Sequence, residues 1–251
     1  MTFVALETLT WPEAEQVGAE GAVGLVALAS LEQHGPHLPL ATDSLLAEGV
    51  ARDVAERLAG PVVVAPVVRA GLSTHHLAFP GSVTVPPDAY RALVRSYLEG
   101  FERMGVRKLA LFSWHGGNFG FVAELAASWA GEAQLAAYTD LNRFLELTLA
   151  IAVDEGLDLP ETDVHAGGME TSMMLAEYPA LVRPYGDVEG YTKAEPGWLD
   201  RLFVEGIRPI SESGVLGDVR DANAQVGRAL FEGMAEELSG FFARELQLDR
   251  L

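Results

Sequence analysis

Between Ser30 and Asp43 the chain reads S-L-E-Q-H-G-P-H-L-P-L-A-T-D, which sets Glu32, Asp43, His34 and His37 around two prolines in a stretch too broken for a regular element. Glu32 and His34 are two apart, so in extended backbone both side chains project from one face. Asp43 falls where an amphipathic run begins, at a helix start whose dipole and free N–H groups favour a carboxylate. Oxygen and imidazole donors can converge there on one point, which is the chemistry of a divalent metal site. The plainer alternative leaves Glu32 and His34 as solvated loop residues and makes Asp43 an ordinary N-cap. Thr42 can cap in its place, which frees Asp43 for other work.

The histidines extend the pattern. All six, at 34, 37, 75, 76, 115 and 165, occupy four loops punctuated by Gly or Pro, and none lies on an amphipathic helix face. Core or surface histidines scatter, so this clustering favours one shared metal or acid/base centre. His115 ends an apolar run and precedes Gly116 and Gly117, which let backbone approach a ligand closely. Asn118 has two roles open to it, orienting a ligand or capping the next helix. His165 and Glu170 are five apart and would diverge on a continuous helix. Gly167 and Gly168 therefore imply a turn, with Glu170 in the opening turn of a helix as ligand, capping-box residue or base. His75, His76 and Phe79-Pro80-Gly81 suit a pocket mouth or subunit contact, and His37 a supporting role. Glu48 and Glu124 read as surface or helix-start carboxylates, and Trp114 as core.

The elements that must position these groups are short apolar strands alternating with helices. Strands are expected at 22–29, 61–66, 108–112 and 134–138, the first almost wholly apolar as in a sheet covered on both faces. Helices are expected at 11–16, 44–58, 87–104, 119–130, 141–154, about 168–174 and about 221–246. Gly105 is the expected terminator of the third. Residues 181–213 carry Pro184, Pro196 and Pro209 with weak periodicity, which predicts a long irregular excursion; 214–218 reads as a turn. The alternation predicts parallel βαβ units in one domain over 1–251, with helices on both sheet faces. In such sheets ligands bind beyond the carboxyl ends of the strands, where the 32–43 and 115–118 segments both fall.

Composition bounds the rest. The 251 residues include no cysteine, which excludes disulfides and Cys-held zinc, so any metal needs His, Asp, Glu or water. The formal charge of −19 argues against a nucleic-acid or anionic-membrane partner. With no signal peptide or spanning stretch at its start, the chain is expected in the cytoplasm.

Taken together, E-Q-H-G-P-H-L-P-L-x-T-D, F-P-G-S, H-G-G-N, H-A-G-x-x-E-T-S and the late G-V-x-G-D resemble the creatininase family of amidohydrolases. The resemblance runs in order from residue 30 to 218. It implies a three-layer α/β/α sandwich with a mostly parallel sheet, two divalent ions (Zn, Mn or Fe) and a ring-shaped homohexamer. It matches Glu32, His34, Asp43 and His115 to metal ligands, with Asp43 bridging, His165 to a catalytic histidine and Glu170 to an active-site carboxylate. It implies metal-assisted hydrolysis of an amide or cyclic amide in a small molecule or short peptide. Two departures stand out. Creatinine-hydrolysing members carry a metal-ligating Glu where this chain has Gly117, which nominates Glu170 as the replacement ligand. The tryptophan expected to stack on creatinine is also missing, and Glu161 stands near its place. Relatives with the H-G-G-N form include deformylases of pyrimidine-type formamides and the peptidase that trims the mycofactocin precursor. A non-catalytic metal or small-ligand binding protein is the rival from another class; His165 and Glu170 argue against it, since binding alone needs no proton shuttle.

Overall fold

The computed structural model describes residues 3–251. Strands β1 (Phe3–Ala5), β2 (Val23–Leu28), β3 (Val62–Val64), β4 (Lys108–Ser113) and β5 (Gln134–Ala137) form one parallel sheet in the order β1-β3-β2-β4-β5. The β2 and β4 registers align from Val23 opposite Lys108 to Leu28 opposite Ser113. Chain order reverses across this pair, since β2 leads outward to β3 while β4 returns on its other side. That places the switch point of the sheet at the carboxyl ends of β2 and β4, where a crevice opens.

Every residue of β2 is buried, yet its side chains alternate between two cores. Val23, Leu25 and Ala27 pack with α2 (Thr42–Arg57), α6 (Gly168–Glu177) and α8 (Ala224–Leu246). Val26 and Leu28 pack with α3 (Pro87–Arg103), α4 (Phe119–Ala127) and Val17 of α1 (Trp11–Ala19). Period-2 alternation in an all-apolar strand thus feeds two hydrophobic layers, giving the α/β/α arrangement. The remaining α-helices among the described residues are α5 (Leu141–Asp154) and α7 (Trp198–Glu205).

Three departures from the sequence reading are local. The three-residue β1 is too short for a period to show. The 181–213 excursion holds α7, whose Trp198 and Leu202 pack in a small cluster with Ile207 and Leu216 while Leu199 and Phe203 stay 46% and 54% exposed. The 214–218 turn also bridges to other segments: Leu216 pairs with His165 and with Tyr191. Among the described residues no helix is long and apolar enough to cross a membrane.

Candidate metal centre

The segment leaving β2 and the segment leaving β4 meet over the switch point. Glu32 and His34 are fully buried, Asp43 is 2% exposed and His115 4%. Asp43 sits in the first turn of α2. The helix is not capped by Thr42, whose hydroxyl donates to the Pro39 carbonyl at 2.7 Å; the N-cap position is Ala41. Glu170 enters from the first turn of α6, with Oε2 accepting from Ala166 N–H at 2.6 Å and lying 3.6 Å from His34 Nε2. Ala166 has a φ of 52°, a left-handed conformation costing about 1–2 kcal/mol without glycine. It reverses the chain between His165 and Glu170 so that both address the same point.

The donors fall into sets sharing members. Glu32, Asp43 and His115 offer ligand atoms all within 4.8 Å of one another, as do His34, Asp43 and Glu170, and also Glu32, His34 and His165. Asp43 is common to the first two. Glu32 Oε2 accepts from Ser30 Oγ at 2.8 Å, but the buried Glu32 Oε1 and Asp43 Oδ2 have no hydrogen-bond partner. His76 Nε2, His115 Nδ1 and His165 Nδ1 approach Glu32 Oε1 to 3.1, 3.2 and 3.7 Å without hydrogen-bond alignment. Uncompensated buried carboxylate oxygens are costly, and a cation between these nitrogens and oxygens would satisfy them.

Imidazole orientation fits the same group. His115 Nε2–H faces the Leu72 carbonyl at 3.2 Å, His34 Nδ1–H the Glu32 carbonyl at 3.1 Å, and His165 Nε2–H the Gln33 carbonyl at 2.8 Å. Each ring ties one nitrogen to backbone and turns the other inward, as metal-binding histidines do. The charges are strongly coupled. Burial pushes the Glu32 carboxyl up, but His115, His76 and His165 more than reverse this and hold it well below the usual carboxylate range. Burial opposes protonation of His34, yet Asp43 and Glu170 raise it to about 10. Burial, then the charge of His34, hold His165 down to about 3. Burial lifts Glu170 to about 7 against the pull of His34.

Some neighbours take roles the sequence did not disclose. His76 is 1% exposed and reaches Glu32 rather than standing at the mouth, while His75 stacks on His115 at 5.7 Å. His37 is separate from the centre, with Nε2 2.8 Å from the Thr171 hydroxyl. Asn118 neither caps α4 nor faces the crevice. Its amide accepts from Leu72 N–H at 3.0 Å and donates to the Ala29 carbonyl at 3.1 Å, strapping the loop before His75 to the end of β2. Gln33 donates to the Gly214 carbonyl at 3.1 Å and lies 3.2 Å from His76 Nδ1. Gly214 has a φ of 83°, and a β-carbon there would come within 2.0 Å of the Gln33 amide; the glycine was the available signal. Asp163, 2% exposed, accepts from Gly168, Met169 and Asp218 N–H at 2.8, 3.2 and 3.1 Å. It joins the start of α6 to the 214–218 turn, a link between segments too far apart in sequence for any local pattern to show. Trp114 is core, and Glu48 and Glu124 pair with Arg69 and Arg91 at the surface.

A cavity of about 300 Å³ opens onto Glu32, His115 and His165. A larger surface hollow, about 730 Å³, lies over 187–195 and 209–213 and contains none of the candidate residues. Chemistry therefore selects the smaller one.

Known proteins resemble this chain along most of its length. The family model described as "Creatinine amidohydrolase" matches residues 7–242. The mycofactocin precursor peptide peptidase of Mycolicibacterium smegmatis is 33% identical over 214 residues, 84% of this chain and 80% of that one. The creatinine amidohydrolase of Pseudomonas putida is 28% identical over 241 residues, 89% of this chain and 90% of that one. Among solved structures, one named "Creatininase Mn" superposes with a TM-score of 0.74 at 24% identity, covering 96% of this chain and 98% of that one. A creatininase variant of Zn-Zn type gives 0.70 at 24% identity over 98% and 99% of the chains. These two likenesses concern the fold.

Proposed function

The chain belongs to the creatininase family, whose members include a creatinine amidohydrolase and a precursor peptide peptidase, and from that premise we propose a two-metal amidohydrolase acting on an amide or cyclic amide. The observation that carries the reading is the pair of donor sets sharing Asp43, with orphaned oxygens on Glu32 and Asp43. Glu32 and His115 would hold one ion and His34 and Glu170 the other, with Asp43 between them. Zn, Mn or Fe suits this nitrogen and oxygen set. Such a pair supplies Lewis acidity, lowering the pKa of water toward neutrality and polarising a carbonyl.

The residues do the remainder. With no side chain at Gly117, Glu170 is the nominated replacement ligand, its Oε2 lying 3.6 Å from His34 Nε2. His165 keeps Nε2–H on the Gln33 carbonyl and burial keeps its ring neutral, so Nδ1 is the atom left to accept a proton and return it to the departing nitrogen. Burial of the floor residues excludes water from all but the cavity side.

Gly117 and Glu161 turn the reading away from creatinine itself. The 33% identity to a peptide peptidase favours a peptide-type amide as the leading class, with a formamide next. We also infer a cytoplasmic homohexamer, on the resemblance to the family and the cysteine-free composition; sedimentation of the purified protein tests the assembly. Assaying metal-loaded protein against creatinine, formamides and short peptides tests the activity. Turnover of one class that chelator abolishes is expected, and metal binding without turnover of any would favour a binding protein.

A further inference from the structure

The cavity before the centre changes character along its depth. Its floor is polar, formed by Glu32, His115 and His165. Its walls are apolar: Leu145 and Leu149, one turn apart on α5, face Trp198, Leu202 and Phe203 of α7, with Leu216 beneath. At the outer edge stand Glu146 and Glu161, both exposed. Among the described residues neither takes part in an ion pair or a side-chain hydrogen bond, and Arg143 beside Glu146 is engaged by Glu237 at 3.1 Å. No lysine or arginine lines the cavity among the described residues.

We propose that this cavity takes a bulky apolar group, an aromatic ring or branched alkyl chain, carrying the scissile amide at its inner end and a protonated amine at its outer end. The assignment rests on the amidohydrolase reading for the inner end alone. Size and lining support the apolar part, since a cavity of roughly 150 Å³ lined by Leu, Ile and Phe already holds benzene, and this one has about 300 Å³. Leu199 and Phe203 at its lip stay largely uncovered, apolar surface that a seated ring would remove from water. Charge supports the outer end. An anion there would meet two carboxylates and no cation, within a chain of net charge −19, whereas an ammonium would be attracted by both.

Calorimetric titration of the metal-loaded protein with 4-phenylbutylamine, n-butylamine and 4-phenylbutyrate tests this. The phenyl amine should bind about tenfold or more tighter than n-butylamine, which offers any metal the same nitrogen without the ring. It should also bind about tenfold tighter than the carboxylate analogue. The double variant Glu146→Gln, Glu161→Gln alters exposed, unpaired side chains and should keep the fold and erase the lead of amine over carboxylate. Equal or tighter binding of 4-phenylbutyrate, no binding of any probe, or an unchanged lead in the double variant would overturn the assignment. The hydrolase reading is separable: amine selectivity without turnover of any amide overturns that reading alone, and turnover without amine selectivity overturns this assignment alone.

Discussion

Gly117→Ala is a one-carbon change that addresses the centre without touching a donor. A β-carbon at 117 would lie 2.5 Å from His115 Nε2 and 2.5 Å from the Leu72 carbonyl oxygen. Those two atoms are the hydrogen-bonded pair that fixes the ring of His115. Relief to a tolerable 3.0 Å contact requires a shift of about 0.5 Å, and because the carbonyl is backbone, most of it falls on the imidazole. His115 Nδ1 stands 3.2 Å from Glu32 Oε1 and 3.4 Å from Asp43 Oδ2, so the displacement reaches the proposed ligand set directly. Loss of an orienting partner of this kind weakens metal affinity about 10–100-fold, and overpacking costs about 1–3 kcal/mol of stability. Competition against a chromophoric chelator reads the affinity without needing a substrate, and thermal melting reads the stability. The variant should be folded but bind one ion per chain about tenfold more weakly. Metal affinity equal to that of the unaltered protein would refute the argument. By the same geometry, Gly117→Glu should fail to confer creatinine hydrolysis, because its β-carbon meets the same atoms.

Other changes separate the roles. Asp43→Ala should abolish metal binding and turnover together; retained metal stoichiometry would remove Asp43 from the bridging position. His165→Ala should keep its metals yet lose about 10²–10⁴ in rate, and full activity would exclude it as the proton carrier. Asp163 is held up to about 6 from 3.8, chiefly by burial, so the fold favours its protonated form. Its contribution is fully present below about pH 4 and lost as pH rises through about 6, a swing of about 3 kcal/mol. Denaturation of Asp163→Asn across that window should show this swing missing relative to the unaltered chain. An identical pH dependence in both would contradict the burial argument.

What the sequence disclosed and what it hid follow from range. The parallel sheet and most helices were legible because apolar periodicity and Gly or Pro boundaries act over a few residues, as at Gly105, which closes α3 with a φ of 94°. That Glu32, His34, Asp43 and His115 meet was legible because strand ends of a doubly wound sheet have one crevice to share; Glu170, which follows no strand, was placed with them by the family resemblance. Gln33, His76 and Asp163 were not, because each acts through partners far along the chain: Gly214, Glu32 and Asp218. Neither role open to Asn118, orienting a ligand or capping the next helix, was the one it takes, because its partners, Leu72 and Ala29, are contacts between loops. Helix α7 escaped because it spans only eight residues between Gly197 and Gly206, with Leu202 in a small local cluster and Leu199 and Phe203 bordering the cavity.

The measurement closest to the heart of the account is an anomalous-difference map from a crystal of the metal-loaded protein, recorded at the metal's absorption edge. Two peaks about 3.5–4 Å apart are predicted, one beside Glu32 and His115, the other beside His34 and Glu170, with an Asp43 oxygen bonded to each at about 2.0–2.2 Å. A crevice without a peak, or ions held by other side chains, would contradict it.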